Sequence, residues 1–257
     1  MKETSALIGY TGFVGTTLLG QRNFTDLYRS TNINEIKNKR YDIVVAAAAP
    51  AKKWLANSKP FEDQKNIDKL IGSLSYLQTE RFVLISTVDV FAQPIGVDED
   101  TRIDLLDLQP YGYNRRRLEL FVEEKFPNHL IVRLPGLVGR GLRKNIIYDF
   151  LNKNRVDQIE SRNSFQFYPM SRLWKDIEIA LNNNLKLIHL TAEPVTVAEV
   201  AKEAFGLKFE QELENPLVQY DFRTRYHSYW GAESPYQYSK LQSLDAIREY
   251  KRQELNE

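Results

Sequence analysis

One short stretch of the sequence contains residues that could move a proton. Tyr111 and Arg115 are four positions apart and follow Pro110, so a helix that begins there carries both on one face. A tyrosine has a pKa of about 10, and a positive charge at about 5 Å in an effective dielectric of about 20 could lower it by about two units at most. Tyr111 and Arg115 are therefore of the types, and at the spacing, that proton transfer would need. Tyr113 and Arg117 form a second pair at the same spacing, although the proline and glycine that flank the first tyrosine favour the first pair.

Three glycines with the spacing Gly-x-x-Gly-x-x-Gly separate the apolar run 6–8 from an apolar helical segment at 14–19. The first glycine can make a tight turn, the second lets a pyrophosphate approach the backbone, and the third lets the helix lie close to the sheet. This strand–turn–helix context predicts a dinucleotide site, with a purely structural turn as the alternative. Its predicted contacts are Gly9, Thr11, Gly12, Phe13, Val14 and Gly15.

The adenosine ribose of a dinucleotide is normally met at the end of the second strand, here near Asp26. Arg29 and Ser30 follow, and a guanidinium suits a 2′-phosphate better than a 2′-hydroxyl. The sequence therefore favours NADP over NAD. The alternative is that Arg29 is a solvated surface residue.

Apolar strand-like runs alternate with helix-like stretches through the first two-thirds of the chain, with strands at 41–49, 81–85 and 130–134 and a helical period over 65–77. This alternation predicts an α/β fold with a Rossmann-type, doubly wound parallel sheet and a small C-terminal lobe. We expect a dinucleotide-binding domain over 1–140, to which 173–192 returns. Residues 141–172 and 193–257 would form a substrate-binding lobe, and the aromatic-rich tail of 218–238 would dock onto the core or stack on a base.

The composition excludes several classes of function. Hydrophobic residues make up 42% and charged residues 27% of the chain, and the net charge of +1 indicates neither a nucleic-acid nor a membrane partner. There is no cysteine, and His129, His189 and His227 are isolated, so we expect no metal site. No run approaches 18 apolar residues, and the first residues lead directly into a strand without a signal peptide, so we expect a cytoplasmic protein.

Several motifs in order resemble the extended short-chain dehydrogenase/reductase family, the NAD-dependent epimerase/dehydratase group. They are the glycine turn, the alanine run 46–49, Asn66-Ile67, Ile85 to Phe91, Glu99, Pro110-Tyr111-Gly112 and Arg133 to Gly139. The alanine run and the segment around Ser86 and Thr87 are also similar to dTDP-dehydrorhamnose reductases, which use NADPH. In this family a tyrosine exchanges a proton with a sugar alcohol or ketone while a hydride moves to or from the nicotinamide.

The resemblance assigns roles residue by residue. Tyr111 is the acid or base, Thr87 orients the substrate oxygen, and Arg115 stands where the family has a lysine that holds the nicotinamide ribose. Lysine is a compact donor on a flexible stem, whereas arginine is a planar fork that does not deprotonate, so retained and lost turnover both stay open. The implied cofactor contacts also include Ala47, Ala48, Asn66, Ser86, Tyr111, Arg115 and Pro135, and the implied substrate contacts are Thr87, Asp89, Arg143 and Arg172.

The reaction that the resemblance implies is reduction or epimerisation of a nucleotide-linked sugar. Dehydratases of this family place an aspartate and a glutamate after the threonine, and here Val88 occupies the first of these positions, where it cannot protonate a leaving hydroxyl. The alternative is a catalytically degenerate relative that binds a dinucleotide in a structural or regulatory role. A homodimer through the helices around 65–77 and 111–124 is also implied.

Overall fold

The computed structural model describes residues 3–255, which form two compact units. The first contains the chain through Ala92, then Arg102–Arg133 and Leu173–Ile188; the second contains Gln93–Thr101, Leu134–Arg172 and the chain from His189 onward. The sequence places 93–101 and 134–140 in the first domain, whereas the contacts of the structure group them with the second unit.

The strands, in chain order, are β1 (Ser5–Ile8), β2 (Asp26–Tyr28), β3 (Arg40–Ala46), β4 (Gln78–Thr87), β5 (Ile95–Val97), β6 (His129–Leu134), β7 (Gly136–Val138), β8 (Ser164–Phe165), β9 (Phe167–Pro169), β10 (Leu187–His189), β11 (Val195–Thr196) and β12 (Asp221–Phe222). The α-helices are α1 (Phe13–Gln21), α2 (Lys53–Ser58), α3 (Pro60–Leu74), α4 (Pro110–Lys125), α5 (Ile146–Asn152), α6 (Leu173–Asn182), α7 (Val197–Val200) and α8 (Lys240–Leu255). Within residues 3–255, no helix combines the length and apolar character needed to span a bilayer.

Six strands form one sheet in the order β10-β6-β4-β3-β1-β2, and β1 pairs in parallel with both β2 and β3. The connections from β1 to β2 and from β3 to β4 run in opposite directions along the sheet, so the strand order reverses beside β1. In open α/β sheets, ligands bind at the carboxyl ends of the strands at such a reversal. The predicted α/β fold class is confirmed, and the glycine turn lies at this reversal.

Burial explains why these segments become strands and helices. In β3, Ile43, Val44 and Val45 are buried on successive positions, as expected for a strand covered by helices on both faces. The helical period of α3 buries Ile67 and Leu70 as the sequence predicts.

The second unit is built from three two-stranded sheets, which pair β11 with β8, β12 with β5, and β7 with β9. Helices α5, α7 and α8 accompany them, and α7 continues as a π-helical turn over Ala201–Phe205. Two of the tail aromatics, Phe222 and Tyr238, are buried in this unit, and Phe222 stacks on His189 with ring centroids 4.1 Å apart. The sequence predicts that the tail of 218–238 either docks onto the core or stacks on a base, and the contacts of these two residues are docking contacts within the second unit.

Candidate active site

The glycine turn connects β1 to α1, and two of its glycines are required by the chain itself. Gly9 has a φ of +88°, and a Cβ there would lie 2.3 Å from the Ala47 carbonyl oxygen. A Cβ on Gly15 would lie 2.0 Å from the Gly9 carbonyl oxygen. These distances explain how α1 and the end of β3 approach the turn so closely.

The middle glycine of the turn has a different environment. A Cβ on Gly12 would meet its nearest neighbour at 3.5 Å, which is ordinary contact, and the residue is exposed. Gly12 is the N-cap residue of α1, and no side chain hydrogen-bonds to the backbone N–H groups of the first turn from this position. Thr11 before it is exposed, and Phe13 and Val14 are the first two residues of the helix. Backbone N–H groups at a helix N-terminus attract phosphate. The packing of the protein does not require a glycine at position 12. A phosphate that approaches the backbone here would require one, because a side chain would block it.

The end of β2 lies directly beside this turn, because the Gly9 amide donates to the Tyr28 carbonyl at 2.7 Å. Arg29 and Ser30 follow β2 and are both exposed. The Arg29 side chain donates through Nε to the Thr31 hydroxyl at 3.0 Å, and Lys69 donates to the Ser30 carbonyl at 3.2 Å. Lys69 adds a second positive charge that the sequence alone did not associate with this strand.

The other predicted cofactor contacts have varied surroundings. Ala47 and Ala48 follow β3, and the Ala47 amide donates to the Ile8 carbonyl at 2.8 Å, which places both beside the glycine turn. Asn66 lies on an exposed part of α3. Pro135 is buried in the second unit, directly after β6.

The hydroxyl of Ser86 belongs to a buried network in the first unit. It donates to Glu119 at 2.6 Å, and the same carboxylate accepts two hydrogen bonds from Arg133, at 3.0 and 2.8 Å. Arg116 adds an ion pair at 2.9 Å. Glu119 is fully buried, and these donors compensate its charge. Sequence reasoning missed this network, because its members come from β4, α4 and β6.

Tyr111 lies at the start of α4, and three features hold it there. Pro110 occupies the first helical turn, and the Tyr111 backbone N–H donates a hydrogen bond to the Asn57 side-chain oxygen at 2.9 Å. The tyrosine side chain is also packed into the protein, since the residue is only 8% exposed. A Cβ on Gly112 would lie 2.1 Å from the Asp89 carbonyl oxygen. The missing side chain therefore lets α4 contact the 3₁₀ turn Val88–Val90, which follows β4.

This 3₁₀ turn brings Thr87 and Asp89 to the tyrosine. The Thr87 hydroxyl accepts the Asp89 amide at 3.2 Å and caps the turn. The Thr87 side chain also interacts with the Tyr111 hydroxyl, and this interaction lowers the pKa of the phenol. Three of the predicted site residues are thus brought together. Tyr113 is 42% exposed, and Arg117 is paired with Asp68 at 2.9 Å, so the alternative pair has neither the burial nor the threonine.

Arg115 does lie one turn from Tyr111, but its guanidinium is engaged elsewhere. It forms a buried ion pair with Asp63 of α3 and donates to the Pro50 carbonyl, and Asp63 also accepts Asn114 at 2.8 Å. The guanidinium carbon lies 3.9 Å from the centroid of the Tyr111 ring. Arg115 therefore contacts the face of the tyrosine, and its charge is shared with a buried carboxylate.

The pKa of Tyr111 is raised, in contrast to the lowering that the sequence predicts. Burial has the largest effect and disfavours the phenolate, and it outweighs the opposing charge of Arg115. Asp89 raises the pKa further, whereas the Thr87 hydrogen bond and Lys53 lower it. The expected lowering was wrong because it considered the arginine charge without the desolvation of the hydroxyl.

Lys53 is a member of this cluster that the sequence did not indicate. It lies near the start of α2, and its ammonium pairs with Asp89 at 2.7 Å. Asp89, a predicted substrate contact, is thus in an ion pair. Lys53 is 36 residues from its partner Asp89, and it directly follows another exposed lysine, Lys52. No local pattern could therefore have distinguished it as a residue of the site.

Two predicted substrate contacts belong to the second unit. Arg143 is exposed in the segment between β7 and α5. Arg172 is also exposed, and its Nε donates to the Tyr238 hydroxyl at 3.3 Å. Among residues 3–255 there is no group of three or more histidine, aspartate or glutamate side chains arranged to hold a metal ion.

No protein-family model matches the chain, and no curated protein sequence matches it. Solved structures match over nearly its whole length. A dTDP-4-dehydrorhamnose reductase from Clostridium acetobutylicum is 15% identical with a TM-score of 0.76, over 99% of this chain and 100% of the other. The dTDP-4-dehydrorhamnose reductase from Bacillus anthracis, in complex with NADP, is 16% identical with a TM-score of 0.72, over 98% and 99%. A UDP-N-acetylglucosamine 4-epimerase from Methanobrevibacter ruminantium is 13% identical with a TM-score of 0.75, over 100% and 99%.

Two of these structures are reductases and the third is an epimerase. At identities this low the likeness establishes the fold. The chain shares the Rossmann-type α/β fold of these structures, and the resemblance predicted from its motifs is confirmed at the level of the fold.

Proposed function

We propose that the protein is an NAD(P)-dependent oxidoreductase or epimerase that acts on a nucleotide-linked sugar. The observation that carries the proposal is the placement of Tyr111 against Thr87, in the same unit as the glycine turn at the strand reversal. The similar structures support the class, because they are dTDP-4-dehydrorhamnose reductases, one of them in complex with NADP, and a UDP-N-acetylglucosamine 4-epimerase. Cytoplasmic location and a homodimer remain part of the proposal.

The residues of the glycine turn suit a dinucleotide. Gly12 has room for a close approach, and α1 offers uncapped backbone N–H groups. Arg29 and Lys69 near the end of β2 favour the 2′-phosphate of NADP over the hydroxyl of NAD. When bound, the nicotinamide ring would supply or accept the hydride.

In the proposed reaction Tyr111 gives a proton to the substrate carbonyl oxygen, or takes one from an alcohol. The Thr87 hydroxyl holds the same oxygen and fixes its distance from the tyrosine. Burial raises the pKa of Tyr111 and so favours the protonated hydroxyl, which suits the reducing direction, in which the group acts as an acid. This direction favours the reductase over the epimerase reading. Arg143 and Arg172 remain the proposed substrate contacts of the second unit.

Replacing Tyr111 with phenylalanine tests the assignment. Turnover of UDP-glucose, UDP-galactose or dTDP-linked 4-keto sugars should fall by about 10² to 10⁴, the range of a general acid, while the thermal shift produced by NADP stays within about 2 °C of the wild-type shift. The matched control is Tyr113→Phe on the same helix, which should keep its activity. Equal activity of Tyr111→Phe and Tyr113→Phe would refute the assignment of the catalytic tyrosine.

A second candidate is a relative that binds the dinucleotide without turnover. The observation that favours it is the engagement of Arg115 by Asp63 and the Pro50 carbonyl, which leaves position 115 committed to the protein interior. In that case NADP or NAD should raise the melting temperature, and neither cofactor should be oxidised or reduced with any of the sugar nucleotides. The Arg29→Ala variant would separate the cofactors, since only the NADP shift should shrink.

A further inference from the structure

A buried tyrosine that exchanges protons needs a route to solvent. Tyr111 is enclosed by the protein, and its neighbour Arg115 cannot serve as a relay because arginine does not deprotonate in proteins. The ion pair with Asp63 also directs that guanidinium away from solvent. Another group must therefore replace the proton that Tyr111 gives away.

Three side chains form a continuous path outward from the tyrosine. The Thr87 hydroxyl interacts with the Tyr111 hydroxyl and donates to Asp89 at 3.4 Å. The other carboxylate oxygen of Asp89 accepts Lys53 at 2.7 Å. Side-chain exposure rises along this path, from 17% for Asp89 to 46% for Lys53. The path thus begins at the buried phenol and ends at an ammonium in contact with water.

We propose that Thr87, Asp89 and Lys53 form a proton relay that connects the hydroxyl of Tyr111 to solvent. This inference rests on the proposed function and identifies a further residue of the same site. Lys53 comes from α2, so it enters the site from a different element than Arg115, and its amine can release and regain a proton. The sequence places Asp89 among the substrate contacts, and the relay gives it a different role.

The relay conserves protons at every step. After Tyr111 has given its proton to the substrate oxygen, the phenolate takes the proton of the Thr87 hydroxyl. The Asp89 carboxyl takes a proton from the Lys53 ammonium on one oxygen, turns about its Cβ–Cγ bond and passes that proton to Thr87, and the resulting Lys53 amine takes a proton from water. The sum of these transfers is one proton moved from solvent to substrate, with all three relay residues restored. Oxidation of an alcohol runs the same transfers in reverse.

The groups around Tyr111 agree with this assignment. Lys53 on α2 and Arg115 on α4 lower the pKa of Tyr111, whereas Asp89 in the 3₁₀ turn raises it. Lys53 therefore acts on the tyrosine electrostatically from 58 positions away in the chain. An arginine in its place would preserve this charge, but it could not transfer a proton.

Lys53→Ala, Lys53→Arg and Asp89→Asn test the relay, with Lys52→Ala as the control on the neighbouring exposed lysine. Turnover would be measured on UDP-glucose, UDP-galactose and dTDP-linked 4-keto sugars with NADP or NAD. We expect kcat to fall by about 10²-fold, the lower end for a general acid or base, in all three relay variants, with KM unchanged. Methylamine in the buffer should restore much of the loss in Lys53→Ala and none in Lys53→Arg, where the position is filled. The thermal shift with NADP should be the same in all variants.

The outcomes separate the relay from the proposed function. Full activity of Lys53→Arg would overturn the relay and assign Lys53 a purely electrostatic role. A raised KM without amine rescue would also overturn it, because Lys53 would then bind substrate. A wild-type protein without turnover on any substrate would overturn the proposed function and the relay together, whereas an active wild type with an unaffected Lys53→Ala would overturn the relay alone.

Discussion

The buried ion pair between Arg115 and Asp63 predicts a large loss of stability on replacement of the arginine. Both side chains are almost fully buried, and the arginine also donates to the Pro50 carbonyl. Arg115→Met removes the charge and keeps much of the volume. Asp63 would then be left in the interior with only the Asn114 amide known to donate to it in the described structure. An unpaired buried charge is costly because it has lost its hydration without compensation.

The size of the expected loss in unfolding free energy follows from the burial of both Arg115 and Asp63. Removing one partner of a buried pair typically costs about 3 to 5 kcal/mol. For a chain of this size, 1 kcal/mol corresponds to about 2 to 4 °C in melting temperature, so Arg115→Met should melt about 6 to 20 °C below the wild type. Differential scanning calorimetry of the purified variants measures this directly.

Two matched variants show whether burial is the cause. Arg117→Met lies on the same helix and breaks an ion pair with Asp68 that is partly exposed, so it should cost less than about 1 kcal/mol. The double variant Arg115→Met with Asp63→Leu should recover part of the loss, since it removes the orphaned charge. Equal melting temperatures for Arg115→Met and Arg117→Met would refute this reasoning.

The conservative replacement Arg115→Lys separates a structural role from a cofactor-binding role. A lysine carries its three N–H donors on one nitrogen and cannot reach Asp63 and the Pro50 carbonyl from two separate atoms, as the arginine does, so stability should fall by about 1 to 3 kcal/mol. The ammonium would be held at Asp63, and we expect no gain in turnover. A gain in turnover would show that position 115 acts on the cofactor, and would support the reading in which arginine marks lost catalysis.

Two further predictions concern packing and pH. Gly112→Ala should be destabilised and lose turnover, because its Cβ would lie 2.1 Å from the Asp89 carbonyl oxygen. At Gly72 an added Cβ would meet nothing within 4 Å, so Gly72→Ala should be more stable than the wild type by about 0.5 to 1 kcal/mol. Thermal melts of both variants test this, and a gain in stability in both would contradict it. Hydrogen bonds from Arg162 lower the pKa of Glu160 from its ordinary value of 4.5 to about 2. A lowered folded-state pKa means that the stabilisation is complete above about pH 5 and is lost as the pH falls towards 2, so the melting-temperature advantage over Glu160→Gln should disappear in that range.

Much of the fold could be predicted from the sequence because it depends on neighbouring residues. The apolar run of β3 and the helical period of α3 are local patterns, and the structure has both elements, at 40–46 against the predicted 41–49 and at 60–74 against the predicted 65–77. The turn with Gly9 and Gly15 is predictable for the same reason, since glycine is the residue that tolerates such close backbone contact. Even the position of Tyr111 at a helix start followed from the proline before it.

The partners of the charged residues could not be predicted in this way. Arg115 meets Asp63 across 52 positions, and Lys53 meets Asp89 across 36. Such pairs depend on which helices pack together and on how far each side chain is desolvated, and neither can be predicted from neighbouring residues in the sequence. The sequence determined that a tyrosine and an arginine would share one face of a helix. Only the tertiary structure decided that burial raises the pKa of the tyrosine, that the arginine charge is compensated from α3, and that a lysine from α2 reaches the site instead.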